Sequence, residues 1–275
     1  MSKPLLRALL ALVSLALGAS VQADERLFGH SYPAEVLPKG DLEFEQWITN
    51  LQGHEQGIFS RWKIREELEA GLSDRLSASL YVNLNSVYSS QLDLSTGAVT
   101  STNEFEFDGI STEWKYLVLN PVTDGFGLLL YFEPRYSSTE LEFEAKLVLQ
   151  KDLGEDWVAV LNLAGENEYQ YTANSQEVVG KGSVTGGLAY KLSPKSSVGL
   201  ELVHDRVWPD QWGYEAWNTW YVGPAFHYTA PKWWITFNIL PQVHGAPESI
   251  PGDGRFVSDD DAARVQTRLI VGSNF

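Results

Sequence analysis

The chain has 275 residues, with 36 acidic and 20 basic side chains, a formal net charge of −16 and no cysteine. The lack of thiols excludes a disulfide framework, a thiolate metal site and a cysteine nucleophile, and the acidity excludes a basic nucleic-acid binder. A mean hydropathy of −0.19 argues against a bundle of membrane helices. It is compatible with a transmembrane β-barrel, whose strands alternate apolar and polar residues.

The amino terminus has the composition of a secretory signal. Lys3 and Arg7 precede the apolar residues 8–17, and small residues stand up to Ala23, where a signal peptidase reads the chain. The apolar stretch is much shorter than the roughly 20 residues that cross a bilayer as a helix. We therefore expect cleavage after Ala23.

Beyond the signal, apolar and polar side chains alternate with a period of two, which is typical of strands with one apolar and one wet face. Leu76, Leu80 and Leu84 fall on one face of such a segment, and Ser77 and Asn83 on the other. Short turns alternate with longer polar connections, as in outer-membrane barrels. The pattern predicts an all-β fold, a closed antiparallel up-and-down transmembrane barrel of about twelve strands, with ten to fourteen as the range. The predicted strands cover residues 41–51, 58–71, 75–87, 104–119, 126–137, 140–151, 157–170, 177–192, 196–207, 218–229, 233–243 and 262–275.

The predicted domain organisation is a cleaved signal peptide over residues 1–23, a periplasmic N-terminal segment over residues 24–40 and the barrel over residues 41–275. The protein is expected in the outer membrane of a Gram-negative cell, in contact with lipid and lipopolysaccharide. Both termini and the short turns are expected to face the periplasm.

Aromatic residues fall at the ends of the predicted strands, which predicts two girdles at the membrane interfaces. They are Trp157, Trp233 and Phe275 at the periplasmic ends and Trp62, Tyr169 and Trp220 at the external ends. The terminal Phe275, after alternating apolar residues, resembles the signal by which bacterial outer-membrane barrels are passed to their insertion machinery. We expect that machinery to be a partner during biogenesis.

Two stretches carry a family resemblance: VLPKGDLEFEQW over residues 36–47 and REELEAGLSDRLSASLYVN over residues 65–83. They resemble the LPKG…ExEQW opening and the REELEYG(L/V)TDR hairpin of an uncharacterised family of Gram-negative outer-membrane barrels, known only as a domain of unknown function. Ala70 stands where that family commonly has Tyr, and Ser73 where it has Thr. The resemblance implies a barrel and supplies no activity.

Charged residues occupy the wet face of several predicted strands. An Arg or Lys facing lipid at mid-depth costs about 2–4 kcal/mol, so we assign the wet face to the lumen, which leaves Glu66 as the one misplaced charge. The predicted lumen-lining residues are Glu43, Glu45, Arg61, Lys63, Arg65, Glu67, Glu69, Glu133, Arg135, Glu142, Glu144, Lys146, Arg264 and Arg268. This mixed ladder fits either a hydrophilic passage or an interior closed by its own salt bridges, and the intermediate strand count does not decide between them.

No catalytic or metal site is predicted. His227-Tyr228-Thr229 has the spacing of the His-x-Ser pair that membrane lipid hydrolases use, but Thr replaces the serine, and nucleophilic catalysis needs nucleophile, base and orienter together. Zinc-ligand spacings such as HExxH are absent. Carboxylate pairs such as Glu43/Glu45 could serve a glycoside hydrolase, yet they recur on four strands, which favours a role in the wall. We expect neither an enzyme nor a cofactor.

Residues 207–221 contain four tryptophans. Trp208, Trp212 and Trp217 are candidates for a ligand-binding platform in an external loop, since such rings stack on sugars or rest at headgroup level. In the alternative that we favour, Trp217 and Trp220 belong to the outer girdle while Trp208 and Trp212 fold over the lumen mouth.

The predicted function is a narrow passive channel for small polar or charged solutes. Two alternatives stay open. One is a non-conducting structural or adhesive barrel that acts through its external loops, and the other is a secreted, soluble carbohydrate-active β-protein. No nucleic-acid partner is expected.

Overall fold

The computed structural model describes residues 26–54, 57–92, 95–171, 175–210, 212–247 and 256–275. The predicted signal peptide lies outside these residues. The described strands are β1 (Leu42–Gln52), β2 (Ile58–Ser73), β3 (Leu76–Leu92), β4 (Val99–Leu119), β5 (Gly127–Tyr136), β6 (Glu140–Leu153), β7 (Trp157–Tyr171), β8 (Gln176–Ser193), β9 (Ser196–Trp208), β10 (Trp217–Ala230), β11 (Trp233–Ala246) and β12 (Val265–Asn274).

The strands form one closed antiparallel barrel. Each strand pairs with its sequence neighbours, and β1 also pairs with β12, from Glu43 opposite Asn274 to Gln52 opposite Val265. The predicted all-β closed barrel of twelve strands is therefore confirmed. Among the described residues, no helix is long and apolar enough to cross a membrane.

Side chains alternate between the interior of the barrel, which we call the bore, and the outer surface. In β3, Leu80 is 50% exposed, whereas its neighbours Ser79 and Tyr81 are 4% and 0% exposed. Successive side chains of a strand point to opposite faces, so the apolar leucine faces outward and the polar serine faces the bore. This is the reverse of a soluble β-sandwich, whose apolar faces pack against each other.

The two ends of the barrel differ. The connections at residues 74–75, 120–126, 154–156, 194–195 and 231–232 lie at one end of the barrel, which we call the turn end, where β1 also begins and β12 ends. The connections at residues 53–57, 93–98, 137–139, 172–175, 209–216 and 247–264 lie at the opposite, loop end. All the turn-end connections except 120–126 have two or three residues, whereas the loop-end connections range from three to eighteen. Outward-facing rings mark the two ends: Trp157, Trp233 and Phe275 at the turn end are 43%, 46% and 43% exposed, and Trp62 at the loop end is 44% exposed.

One predicted connection was wrong. Residues 88–103 were expected to be a loop, but β3 extends to Leu92 and β4 begins at Val99, and the two strands pair along this ribbon. β5 pairs with β4 only from Ile110 onward, so the ribbon projects beyond the neighbouring strand. The Thr, Val and Tyr residues of this segment favour strands, but polar side chains on both faces hide the period of two.

Candidate functional site: a plugged and charged bore

Residues 26–37, which we call the plug, fold into the bore as a reversed loop. Arg26 and Ala34 contact the wall toward the turn end, through Glu45 and Gln150, while Gly29 to Ser31 contact Glu201 deeper in the barrel. Phe28, Ala34 and Leu37 are at most 1% exposed. This position differs from the predicted periplasmic segment over residues 24–40, because residues 26–37 lie inside the barrel.

Glu201 on β9 holds the tip of the plug. Its carboxylate accepts the backbone N–H groups of Gly29, His30 and Ser31 at 3.1, 2.7 and 2.6 Å, and the side-chain amide of Asn238 at 2.6 Å. An irregular segment inside a barrel cannot satisfy its own backbone, and unpaired buried N–H groups are costly. Glu201 therefore supplies the hydrogen-bond acceptors that a neighbouring strand supplies to the backbone of the barrel wall.

Two wall amides continue this pairing. Asn162 accepts the N–H of Tyr32 at 2.6 Å and donates its amide to the Tyr32 carbonyl at 3.0 Å, and Gln150 accepts the N–H of Ala34 at 2.8 Å. Burial, reinforced by the negative charge of Glu113, raises the pKa of Tyr32 to about 12. The ring packs edge-on against Tyr131 with centroids 5.2 Å apart.

Arg26 anchors the start of the plug among carboxylates. Its Nε donates to Glu45 at 3.0 Å, its Nη2 lies 3.8 Å from Glu67, and its guanidinium lies 4.5 Å from the ring centroids of Tyr32 and of Trp47. Burial alone would lower the pKa of Arg26, but the two carboxylates raise it well above its ordinary value. The plug thus carries its own counter-ion to the acidic wall.

Small residues make room for the plug. A Cβ atom at Gly187 would lie 2.5 Å from the Phe28 ring, and one at Gly199 would lie 3.0 Å from it. These two glycines on β8 and β9 form a socket for Phe28, which a side chain at Gly187 would fill.

The plug divides the bore into two spaces. At the turn end a cavity of about 430 Å³ is lined by Leu27, Glu35 and Gln150 among others. At the loop end two cavities of about 290 and 310 Å³ share His30, Arg268 and Asp205, and we treat them together as the vestibule. His30, at the tip of the plug, forms part of the vestibule floor. Burial and the positive charges of Arg268 and Lys146 lower the pKa of His30 well below its ordinary value.

Most of the predicted lumen residues do face the bore. Glu43, Glu45, Glu67 and Glu69 are 0% exposed, and oxygens of the last three lie within 4.8 Å of one another. Lys115 pairs with one member of this group, at 2.8 Å from Glu69, while Arg26 contacts Glu45 and Glu67. The loop-end members line the vestibule or its rim; they are Lys63, Arg65, Glu133, Arg135, Glu142, Glu144, Lys146 and Arg268.

Two predicted lumen residues have other surroundings. Arg264 precedes β12, and its guanidinium lies 5.2 Å from the ring centroid of Phe256. Arg61 lies at the loop end, where it and Lys63 contact Asp261 at 2.9 and 2.6 Å. These contacts, Lys63 first, lower the pKa of Asp261. Asp261 thus fastens the connection before β12 onto β2.

The misplaced charge Glu66 has a partner on the outer surface. Gln46, directly opposite on β1, donates its side-chain amide to Glu66 at 2.8 Å. The pair lets a carboxylate on the outer face keep one strong hydrogen bond.

The tryptophan arrangement differs from the favoured prediction. Trp208 and Trp212 do not cover the lumen mouth: Trp212 lies against Gly180 on the outer face of β8, and its Nε1 donates to Asn167 at 2.7 Å. Trp217 lines the vestibule instead of joining the girdle. The cause is a patch of glycine on the outer face of β7 and β8, which leaves a flat surface for the rings. Trp220 does face outward, stacked on His204 with centroids 3.9 Å apart.

Two tryptophans lie in the bore that the sequence analysis does not place there. Trp47 and Trp234 are 2% and 0% exposed inside the barrel, and Trp234 donates to Glu43 at 2.9 Å. The strand phase could have placed both, because each falls on the same face as the predicted lumen residues of its own or the neighbouring strand. His227 is also buried in the bore, with Nδ1 2.9 Å from Thr236 Oγ1.

Solved structures share this architecture. The COG4313 outer membrane channel from Pseudomonas putida F1 matches with a TM-score of 0.61 and 14% identity, over 88% of this chain and 98% of that one. The NanC porin matches with a TM-score of 0.50 and 11% identity, over 85% of this chain and 98% of that one. Identities this low show a common fold.

No curated protein matches the chain. A family described as being of unknown function, DUF6662, has a model that matches residues 20–275. This match spans the plug and the whole barrel, so the chain belongs to the DUF6662 family.

Proposed function

We propose that the protein is an outer-membrane channel for small polar or charged solutes, closed in this structure by the plug. The observation that carries the proposal is the pair of polar cavities at opposite ends of the bore, separated by residues 26–37. The plug is held to the wall by side-chain hydrogen bonds and by ion pairs, with no strand pairing of its own. Such a segment can undock while the barrel stays closed.

The outer surface supports a membrane location. Leu80, Leu130 and Leu200 are 50%, 48% and 58% exposed there, together with outward rings at both ends. Water-soluble monomers rarely expose an apolar belt of this extent, which weighs against the secreted soluble alternative. Lipid is the solvent in which such a belt is stable.

The test is planar-bilayer recording of the refolded protein and of Gly187→Val, which fills the Phe28 socket. We expect discrete conductance steps, more frequent in Gly187→Val than in the parent or in the neighbouring control Gly186→Val. At Gly186 the nearest atom to a new Cβ is a carbonyl oxygen 3.6 Å away. Folded protein, verified by a gel-mobility shift on boiling, that gives no steps in any variant at any voltage would disprove the channel.

The alternative of a non-conducting adhesive barrel draws on the projecting β3–β4 ribbon. Its residues Val99, Phe105 and Phe107 are 65%, 57% and 59% exposed, beyond the point where β5 begins to pair. Two results together would favour this alternative. The protein would give no conductance steps in planar bilayers, and shortening the ribbon would abolish adhesion to surfaces.

A further inference from the structure

The charges that point into the vestibule are nearly balanced. They are the cations Lys63, Arg65, Arg135, Lys146, Lys181 and Arg268 and the anions Asp108, Glu133, Glu142, Glu144, Glu166, Asp205 and Asp261. Arg206 also borders this space, but it follows Asp205 on β9, so its side chain points to the opposite face, where it pairs with Glu215. Six cations against seven anions give the vestibule little net charge. What it selects therefore depends on which charges are already neutralised by a neighbour.

Nearly all of the vestibule charges are neutralised by an ion pair. The pairs are Lys63–Asp261 at 2.6 Å, Arg65–Glu133 at 2.5 Å, Arg135–Asp108 at 2.9 Å, Arg135–Glu142 at 2.6 Å, Lys146–Glu144 at 3.0 Å and Lys181–Glu166 at 3.0 Å. Within the described part of the chain, this leaves two lining charges without an ion pair: Arg268 on β12 and Asp205 on β9.

Arg268 is held in place by neutral groups. Its Nε donates to Thr49 Oγ1 and its Nη1 to the Gly29 carbonyl, both at 2.8 Å. The guanidinium also lies 5.4 Å from the ring centroid of Trp47. These contacts fix the group and leave Nη2 available to the vestibule without cancelling the positive charge.

Asp205 has neither a hydrogen bond nor an ion pair to any described residue, and it lines both cavities of the vestibule together with Arg268. An acceptor in a partly enclosed space gains most from a charged donor, since charge-assisted hydrogen bonds are the strong ones. The wall therefore presents one carboxylate and one guanidinium to the same space, and neither group forms an ion pair with a described residue.

We propose that the vestibule binds a small solute that carries both a carboxylate and an ammonium group, the carboxylate on Arg268 and the ammonium on Asp205. The inference rests on the proposed function and narrows its solute class to amino-acid-like zwitterions. A solute with only one charge would leave the other wall group unmatched. The cavities of about 290 and 310 Å³ fall at the lower end of ligand-site volumes, which suits a small molecule.

The test is isothermal titration of the full-length protein in detergent with glycine, β-alanine and 4-aminobutyrate, compared with propionate and propylamine. We expect at least one of the three amino acids to bind at least tenfold more tightly than both singly charged compounds. Asp205→Asn and Arg268→Gln should each remove that preference. Asp74→Asn and Arg75→Gln, exposed at the turn end, are the matched controls and should keep it.

Asp205→Asn is the decisive variant, because Asp205 makes no hydrogen bond and no ion pair with a described residue, whereas Arg268 also contacts the plug. Equal binding of the singly charged compounds, or an unchanged preference in Asp205→Asn, would overturn the inference. Its failure is separable from failure of the channel. Conductance steps without a zwitterion preference refute only the inference, and a preference in a barrel that never conducts refutes only the channel.

Discussion

The carboxylate of Glu201 accepts the backbone N–H of His30 at 2.7 Å. The same carboxylate accepts the N–H groups of Gly29 and Ser31, so one wall residue satisfies three successive donors of a segment that has no strand partner. Each hydrogen bond to a charged group contributes about 1.5–3 kcal/mol. The docked position of the plug therefore depends on a small number of side chains that can be changed singly.

Replacing Glu201 should release the tip of the plug. Glu201→Ala leaves three backbone N–H groups and the Asn238 amide without their acceptor, and we expect the open probability in planar bilayers to rise at least tenfold. Glu177→Ala, at an exposed position of β8, is the control. Equal open probabilities for the two variants would show that Glu201 does not hold the plug.

Filling the Phe28 socket should expel the plug without changing any charge. In Gly187→Val the new side chain overlaps the Phe28 ring, so Ser31, 2% exposed in this structure, should become accessible. With Ser31→Cys as a reporter in this cysteine-free chain, we expect maleimide labelling to be at least tenfold faster in the Gly187→Val background. The Gly186→Val background should label as slowly as the parent, and fast labelling there would mean that the whole barrel has loosened.

Removing the cation of the plug should destabilise the folded state. Arg26→Met leaves Glu45 and Glu67 buried without their counter-ion, and breaking a buried ion pair on one side costs about 3–5 kcal/mol. We expect a lower urea midpoint, followed by the gel-mobility shift of the folded barrel. Lys39→Met removes an exposed charge next to the plug and should leave the midpoint unchanged; identical midpoints for both variants would contradict the anchoring role of Arg26.

Acidification should weaken docking of the plug through His30. Burial, Arg268 and Lys146 lower its pKa in the docked state, whereas an undocked His30 titrates near its ordinary value of about 6.5. The undocked state therefore binds more protons below that pH, and docking is most favourable above it and is lost as the pH falls.

We expect the open probability to rise between pH 7 and pH 5 and this rise to be much smaller in His30→Gln. An unaltered pH profile in that variant would assign the effect to other groups.

The sequence predicts the wall of the barrel but not the plug. The wall follows from a local rule, because alternation in β2 assigns Arg65 and Glu67 to one face whatever their distant neighbours are. The plug follows no such rule. Its apolar residues, Phe28 and Tyr32 among them, do not recur with a regular period, and the residues that contact these two, Gly187 and Asn162, are more than a hundred positions away in the chain. The position of Trp212 against Gly180 on the outer wall is not predicted either, because it also depends on a residue far away in the chain.

The sequence by itself determined the barrel, its strand phase and the ionic character of its interior, since these depend on side chains two positions apart and on the free energy of exposing charge to an apolar solvent. Only the tertiary structure decided which charges of the bore meet. Arg26 reaches Glu45, Lys63 reaches Asp261, and Arg268 and Asp205 are left without an ion pair, because closing the barrel and folding the plug into it bring together residues that no local pattern relates.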